Sequence, residues 1–236
     1  MGVIAFATPK PYVPPPGIDE YTKLMLHMDG SDDGTVFTDD SFSEHTITRV
    51  NAVTKTAIKK FGTASGYFDG SGDYLSIPDS GDWNFGTGDF TIDCWLYLNA
   101  SDPVPIYSQL GNTGSDNNRI LYGFWAGNWN FYAYTTSTQI FVTVADSNPA
   151  TGEWMHIALV RDGIYFNFYK NGILIGTPQG DSSAVPSNPG AVYVGATRIS
   201  STFPIAINGY IDELRVSKGI ARWTIDFDPP TSPYTT

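Results

Sequence analysis

The sequence has little cysteine, little positive charge and no long apolar run, and each shortage excludes a class of protein. One cysteine among 236 residues allows no disulfide within the chain. Thirteen basic against 24 acidic residues give a net charge of −11, which repels phosphate backbones and excludes nucleic acid as an expected partner. No stretch approaches the roughly 18 consecutive apolar residues of a membrane span, and the first residues lack the charged start of a signal peptide. We therefore predict no membrane association, and the composition fits assembly in a reducing cytoplasm.

The spacings that cysteine or histidine chemistry requires are also missing. Cys94 occupies an alternating apolar position in FTIDCWLYL, which is typical of a buried and inert thiol. His27, His45 and His156 lie in separate segments without a partner four residues away, which gives no support to zinc or triad chemistry. We interpret His156, in EWMHIALV, as a hydrogen-bonded residue of the sheet.

Glycoside hydrolysis requires two carboxylates on the same side of a binding face, and no such pair is visible. Asp93 is the single acid of its strand, with Thr91, Trp95 and Tyr97 on its face. Asp212 and Glu213 are adjacent, and because side chains alternate along a strand, we expect them to point to opposite faces. On this pattern Glu213 would be the exposed partner of Arg215. We predict no catalytic residue and no enzyme.

What the sequence does contain is a long series of short, alternating, β-enriched runs separated by Gly, Asn, Asp, Ser and Pro clusters. The pair Asn171-Gly172 between two apolar runs predicts a tight hairpin, and only SKGIAR resembles a helical turn. These runs predict an all-β, two-sheet antiparallel sandwich of jelly-roll type. The predicted buried positions are Leu24, Leu26, Ile92, Cys94, Leu96, Ile157, Leu159, Phe166, Phe168, Val194, Ile211 and Leu214.

The first residues differ from the rest of the chain. Five prolines before residue 17, with PKPYVPPPG among them, exclude a helix or a central strand. We therefore divide the chain into an extended proline-rich arm over residues 1–21 and a sandwich over residues 22–236. The apolar residues of the arm favour docking on a partner chain over a solvated linker.

Several stretches in order resemble one family. LMLHMDGSDDGTVFTDDS, KKFGTASGYFDGSGDYLSIPDSGDWNFGTGDFTIDCWLYL, EWMHIALVRDGIYFNFYKNGILIG and INGYIDELRVSKGIARWTIDFDPPTSPY are similar to laminin-G-like domains of the concanavalin A-like lectin/glucanase superfamily. DELRVSKGIARW with FDPPTSPY looks most like the copies common in bacteriophage virion proteins. The resemblance covers residues 22–234 and leaves the arm without a counterpart. It implies a β-sandwich that binds carbohydrate or protein, often with calcium at its edge.

The resemblance also suggests a structural calcium site. In related sandwiches the first and last strands meet at an edge, which would bring Asp29 beside Asp212, with Asp33 in the intervening loop. Calcium takes six to eight oxygen ligands, and a shared ion would offset the cost of burying Asp212. The alternative is that Asp29-Gly30 and Asp33-Gly34 are simply turn formers.

The stretch RILYGFWAGNWNFYAYTT is the candidate ligand site, because sugars stack on aromatic faces with polar groups at the ring edge. It reads as a hairpin around Ala126-Gly127-Asn128, with one face in the core. Packing is the competing interpretation of its aromatic residues. The predicted ligand-binding set is Arg119, Tyr122, Trp125, Asn128, Asn130, Tyr132 and Tyr134.

Taken together, these features lead us to expect a non-enzymatic phage virion surface protein. Capsid decoration is favoured, with the arm binding a capsid or other virion protein through residues 1–20 and the sandwich binding cell-surface glycan or protein. A tail-fibre adhesion module and a glycan hydrolase of the same superfamily are the alternatives, and self-association of the chain stays open.

Overall fold

The computed structural model of the chain describes residues 17–101, 103–111, 118–135, 139–147, 149–199 and 202–236. Residues 1–16 of the predicted arm lie outside these ranges, so its docking role stays a prediction. Residues 17–21 are described and pack on the sandwich, since Ile18 is buried in a cluster with Met25 and Tyr234.

The described chain forms strands throughout, with one short 3-10 turn at Gly81–Trp83. The first nine strands are β1 (Thr22–Leu26), β2 (Thr48–Val50), β3 (Val53–Lys55), β4 (Ser65–Asp69), β5 (Tyr74–Ile77), β6 (Phe90–Leu98), β7 (Val104–Leu110), β8 (Arg119–Trp125) and β9 (Asn128–Tyr134). The others are β10 (Gln139–Ala145), β11 (Trp154–Asp162), β12 (Tyr165–Lys170), β13 (Ile173–Leu174), β14 (Gln179–Gly180), β15 (Val192–Val194), β16 (Ala196–Ile199), β17 (Thr202–Ala206) and β18 (Asn208–Lys218).

Two antiparallel sheets pack face to face. The nine-stranded sheet has the order β13-β12-β11-β6-β18-β4-β3, with β1 beside β18 and β14 beside β12. The seven-stranded sheet has the order β10-β9-β8-β7-β15-β5-β2, and β16 and β17 form a separate hairpin. The all-β sandwich predicted from the alternating runs is confirmed. The first and last strands are neighbours as expected, but β18 lies inside its sheet and not at an edge.

The core lies between the two sheets and is built from one side chain in two along each strand, as the pleat requires. All twelve residues predicted to be buried are buried, Cys94 among them. Trp83 anchors the corner before β6, where its indole N–H donates to the carbonyl of Pro78 at 3.0 Å.

One hairpin prediction is confirmed and one helix prediction is wrong. Asn171 and Gly172 both have positive φ, at 50° and 78°, as a tight two-residue hairpin turn requires. The stretch SKGIAR forms no helical turn, because β18 stays paired with β6 as far as Lys218. Gly219 then turns the chain at a φ of 90°. Among the described ranges, no helix is long and apolar enough to cross a membrane.

The outer face of the nine-stranded sheet is partly covered by residues 219–236, which we call the C-terminal segment. Trp223 and Phe227 stack on each other at 4.1 Å between ring centroids. Both contact His156, at 5.6 Å and 5.7 Å. Tyr234 lies over the guanidinium of Arg215 at 3.7 Å. The segment therefore adds a third layer to one half of this face.

Beneath the C-terminal segment lies an ion pair with no exposure to solvent. Arg215 Nε donates to Asp93 Oδ1 at 3.1 Å, and the Tyr234 hydroxyl donates to Asp93 Oδ2 at 2.6 Å. His156 Nε2 lies 3.5 Å from the same Oδ2. Burial alone would raise the pKa of Asp93, but the charge of Arg215 and the hydrogen bonds lower it to about 2. Burial lowers the pKa of His156, so Arg215 is the cation that neutralises Asp93.

We expect Arg215→Met to lower the free energy of unfolding by about 3–5 kcal/mol, because it leaves a buried carboxylate without its cation. Tyr234→Phe removes one hydrogen bond and should cost about 1–2 kcal/mol. Arg49→Met is the matched control, since Arg49 is only partly buried and its side chain donates to the carbonyl of Ala52. Urea denaturation measures all three, and equal losses for the two arginine variants would contradict this role of the pair.

Candidate functional site

The predicted ligand site lies on the hairpin of β8 and β9, whose turn has two residues. Ala126 and Gly127 both have positive φ, at 52° and 75°, so the flanking Trp125 and Asn128 are directly paired. This register places Tyr122 opposite Phe131, and both are fully buried in the core.

The inclusion of Tyr122 in the ligand-binding set is therefore wrong. A three-residue turn over Ala126-Gly127-Asn128 would have put Tyr122 opposite Tyr132, whereas the two-residue turn moves the pairing by one position. Because the period of a strand is two, such a shift moves a side chain to the other face of the sheet.

The other six predicted residues do share the outer face of the seven-stranded sheet. With Phe141 of β10, which is paired with Tyr132, they form a surface that we call the aromatic platform. Its members are Arg119, Trp125, Asn128, Asn130, Tyr132, Tyr134 and Phe141.

The rings of the aromatic platform contact one another. Tyr132 and Phe141 stack at 4.1 Å with an interplanar angle of 17°. Trp125 meets Tyr132 edge-on at 4.9 Å, and the Arg119 guanidinium lies 4.9 Å from the Tyr134 ring centroid. Phe141 is 54% exposed, which leaves ring surface available to a ligand.

Asn130 fixes the centre of the platform from below. It is 2% exposed, so it supports the other members of the platform and is too buried to contact a ligand, contrary to its predicted role. Its side-chain amide donates to the carbonyls of Trp125 and Asn128, at 3.3 Å and 2.7 Å. Its Oδ1 accepts from the Tyr132 hydroxyl at 2.9 Å. Burial raises the pKa of Tyr132, so this hydroxyl stays a donor at neutral pH.

Sequence reasoning missed Phe141, although the pattern contained a signal for it. In QIFVTVAD the apolar Ile140, Val142 and Val144 alternate with Phe141 and Thr143, and the first three are buried. An aromatic residue on the polar side of an alternating strand is the signal that identifies it.

The acids of the last strand do not lie as the sequence predicts. On β18 two residues, Glu213 and Leu214, lie opposite the single Cys94 of β6, which is a β-bulge. Glu213 has a φ of 50° at this bulge. Ile211 and Leu214 both enter the core, so Asp212 and Glu213 point to the same side, away from it.

The predicted exposed pair of Glu213 and Arg215 is therefore wrong as well. Glu213 is 2% exposed. Its Oε1 pairs with His27 Nδ1 at 2.7 Å, and its Oε2 accepts from the backbone N–H of Tyr234 at 2.9 Å. Burial acts to lower the pKa of His27, but the hydrogen bond to Glu213 raises it overall. Glu213 thus ties the first strand and the C-terminal segment to β18.

Asp212 is held by backbone amides. Its Oδ2 accepts from the N–H groups of Lys60 and Phe61, at 2.7 Å and 3.1 Å. Its Oδ1 is buried and has no hydrogen-bond partner within the described part of the chain. Burial, with the nearby charges of Glu213 and Asp29, raises the pKa of Asp212 to about 7, although the two amides act to lower it.

The residues predicted to bind calcium do not form a ligand cluster. Asp29 Oδ1 accepts from the backbone N–H and hydroxyl of Thr63, and Asp33 Oδ1 is paired with Lys55 Nζ at 2.6 Å. Asp29 and Asp33 line a hollow of about 560 Å³ that Asp212 does not line. Across the described ranges, no three acidic, histidine or cysteine side chains are placed to share a metal ion. Structural calcium at this edge stays a prediction.

Comparison with known proteins assigns this fold to a family. A family model described as the concanavalin A-like lectin/glucanases superfamily matches residues 69–221. A comparison with curated proteins gives no match.

Solved structures share the fold at low sequence identity. Domain 4 of AbnA, a GH43 extracellular arabinanase from Geobacillus stearothermophilus, aligns with a TM-score of 0.62 at 17% identity, covering 85% of this chain and 93% of that one. The binding domain of Paraclostridial Mosquitocidal Protein 1 has a TM-score of 0.62 at 10% identity, with 86% and 50% coverage. The binding domain of botulinum neurotoxin serotype D has a TM-score of 0.62 at 14% identity, with 87% and 50% coverage. This chain spans about half the length of these two toxin domains.

We expect wild-type protein to lose stability as the pH rises from about 4 through about 7, so it should be less stable at pH 8 than at pH 5.5. The pKa of Asp212 is near 7 in the folded state and about 3.9 in the unfolded chain. Its contribution to stability is therefore fully present below about pH 4 and lost as the pH rises through about 7. Asp212→Asn should remove the part of this dependence that Asp212 causes. Glu213→Gln should keep that part and cost about 1–3 kcal/mol because one of its two hydrogen bonds is lost, with the larger cost at pH 5.5, where His27, whose pKa Glu213 raises, is charged.

Thermal melts at pH 5.5 and pH 8, with calcium and with a chelator, measure the stability of wild type and both variants. Equal pH dependence in wild type and Asp212→Asn would contradict the assignment to Asp212. A melting temperature lowered several degrees by chelator, in wild type but not in Asp212→Asn, would instead support a calcium site.

Proposed function

Because the chain belongs to the concanavalin A-like lectin/glucanases superfamily, we propose that it is a carbohydrate-binding module and that the aromatic platform is its binding surface. The observation that carries this proposal is the cluster of the exposed Phe141 with the partly exposed Trp125 and Tyr132 on one sheet face. Pyranose rings present C–H groups that pack on aromatic faces, and hydroxyls that bond to amides and guanidinium groups. Asn128 and Arg119 supply such groups beside the rings.

The structural neighbours support the same class of ligand. Domain 4 of AbnA is in complex with arabinotriose, and cell entry of botulinum neurotoxin type C is described as dependent on two ganglioside molecules. A neurotoxin DC binding domain is in complex with rat synaptotagmin II, so a protein ligand is the second candidate. The neutral hydroxyl, amide and ring chemistry of the platform favours the glycan.

The module binds without cleaving in this proposal. Hydrolysis needs two carboxylates flanking the sugar, and the seven members of the platform include none. The nearby Asp146 is engaged by Lys170 Nζ at 2.5 Å and by the Trp129 indole at 3.1 Å. A hydrolase of the same superfamily remains the alternative, and it would require an acid pair elsewhere on this face.

The proposed location is the surface of a phage virion, with the module acting as capsid decoration. The support is the resemblance of DELRVSKGIARW and FDPPTSPY to copies in phage virion proteins, together with the proline-rich arm. The Ile18 N–H donates to the carbonyl of Thr235 at 2.8 Å, on the outer side of the nine-stranded sheet. An arm that continues from Gly17 to a capsid protein would leave the platform, on the other sheet, facing outward. A tail-fibre position is the alternative.

Trp125→Ala and Tyr132→Ala should each reduce glycan affinity at least tenfold while leaving the fold intact, because each removes a ring from the platform. Tyr165→Ala is the matched control, since Tyr165 is 50% exposed and lies on the other sheet. A glycan array with purified wild-type protein identifies the ligand, and calorimetry then compares the variants. Undiminished binding by both platform variants would refute the proposed surface.

Removal of residues 1–16 should abolish attachment to particles and leave the melting temperature nearly unchanged. Ile18 and Asp19 contact the sandwich and must be kept, because Asp19 Oδ1 accepts from Arg222 at 2.7 Å. The measurement is co-sedimentation of the purified protein with particles that lack it. Equal co-sedimentation of the truncated and complete chains would show that the arm is not the anchor.

A further inference from the structure

A second group of aromatic side chains crosses the outer face of the nine-stranded sheet. Tyr67 of β4 is paired with Tyr210 of β18, Tyr210 with Tyr97 of β6, and Tyr97 with Trp154 of β11. Neighbouring ring centroids are 4.9, 5.7 and 5.7 Å apart. We call these four residues the aromatic row. It crosses three strand spacings, or roughly 14 Å, the length of a short oligosaccharide.

The aromatic row lies where the chain does not cover its own sheet. On β6 the C-terminal segment covers Asp93, and Lys60 and Phe61 cover Trp95, with Lys60 Nζ 3.7 Å from the ring centroid. Tyr97 is the next residue on that face and is partly exposed, as are the other three members of the row. Continuous coverage therefore stops one position before the row.

The polar groups at the ends of these side chains are free to bind a ligand. In the described part of the chain, the three tyrosine hydroxyls and the Trp154 indole N–H make no hydrogen bond to protein. The Tyr132 and Tyr234 hydroxyls and the Trp83 indole N–H each donate to a protein oxygen. The Tyr107 and Tyr122 hydroxyls and the Trp95 and Trp223 indole N–H groups have no partner in the described chain, but they are buried, whereas those of the row are on partly exposed side chains that a ligand can reach. The interplanar angles of 39° to 85° mean that the row offers both ring faces and ring edges.

We infer that the aromatic row is a second carbohydrate site, for a neutral oligosaccharide, and that it acts independently of the aromatic platform. Ring surface with free donor groups at its border matches a molecule with C–H faces and hydroxyl edges. Cross-strand aromatic packing stabilises a sheet by about 0.2–1 kcal/mol per pair, but that role does not require three hydroxyls and an indole N–H without partners.

The charges around the row favour a neutral ligand. Lys55 is close enough to Tyr210 to affect its ionisation, but Lys55 is already paired with Asp33 at 2.6 Å. The net charge of −11 disfavours an anionic glycan. A protein partner, or a second copy of this chain, is the competing occupant, because aromatic side chains are also enriched in protein interfaces. The three free hydroxyls and the indole N–H at the border of the row favour the hydroxyl-rich glycan.

Labelling with 5-fluorotryptophan separates the two sites in one fluorine NMR experiment, because Trp154 ends the row and Trp125 belongs to the platform. Trp154→Phe and Trp125→Phe assign the two signals. The probes are neutral tetrasaccharides of β-1,4-glucan, β-1,4-xylan and α-1,4-glucan. We expect at least one probe to shift the Trp154 signal saturably. Tyr97→Phe and Tyr210→Phe, which keep the rings, should weaken that response at least fivefold and leave the Trp125 signal unaffected.

The control variant is Tyr165→Phe, an exposed tyrosine outside the row, which should leave the Trp154 response unchanged. Three results would overturn the inference: no saturable Trp154 shift with any probe, an equal response in the hydroxyl-deletion variants, or a Trp154 signal that responds to protein concentration alone. The last would assign the row to contact between copies of the chain. Failure of the platform would appear separately, as a silent Trp125 signal.

Discussion

Asp93 and Arg215 face each other across β6 and β18 with no exposure to solvent, although both lie on the outer side of their sheet. They are buried because the C-terminal segment folds back over them. The cost of burying them is offset because Arg215 neutralises the Asp93 carboxylate and the Tyr234 hydroxyl donates a hydrogen bond to it. The sheet, the pair and the segment therefore depend on one another, and the middle of this face is closed to ligands.

The same arrangement joins the two ends of the described chain. Glu213 links His27, just after the first strand, with the backbone of Tyr234. Arg222 of the C-terminal segment bonds to Asp19, ahead of the first strand. These contacts are polar and mostly buried, so losing one partner leaves another unsatisfied. Two of them connect residues 186 and 203 positions apart, so the beginning and the end of the described chain stabilise each other.

Much of the fold was predictable because the signal for it is local. Alternation along a strand identifies which residue enters the core, and all twelve predicted core residues do so. Asn171-Gly172 identified its hairpin for the same reason, since the turn requirement is written in two adjacent residues. Six of the seven predicted ligand-site residues share the outer face of one sheet, because every second residue along β8 and along β9 points to the same face.

The errors arise where one residue of register decides the outcome. The predicted face of Tyr122 was wrong because the hairpin turn has two residues and not three. The predicted side of Glu213 was wrong because a bulge inserts one residue opposite Cys94. The alternation of apolar and polar residues along a strand reveals neither feature, because each one changes the pairing register between strands and not the pattern within a strand. The burial of Asp93 depends on a segment more than a hundred residues later in the chain, so no local pattern predicts it.

The covered and uncovered areas of the two outer faces also limit how the module can act. The platform belongs to one sheet and the aromatic row to the other, and the two sheets lie about 10 Å apart with the core between them. A short oligosaccharide cannot contact both at once, so one ligand gains nothing from the second site. Occupancy of both sites would raise the overall affinity only when separate glycan chains are fixed to one surface, or when many copies of this protein are held together. Two sites on opposite faces would therefore favour bridging between glycan chains over tighter binding of one chain.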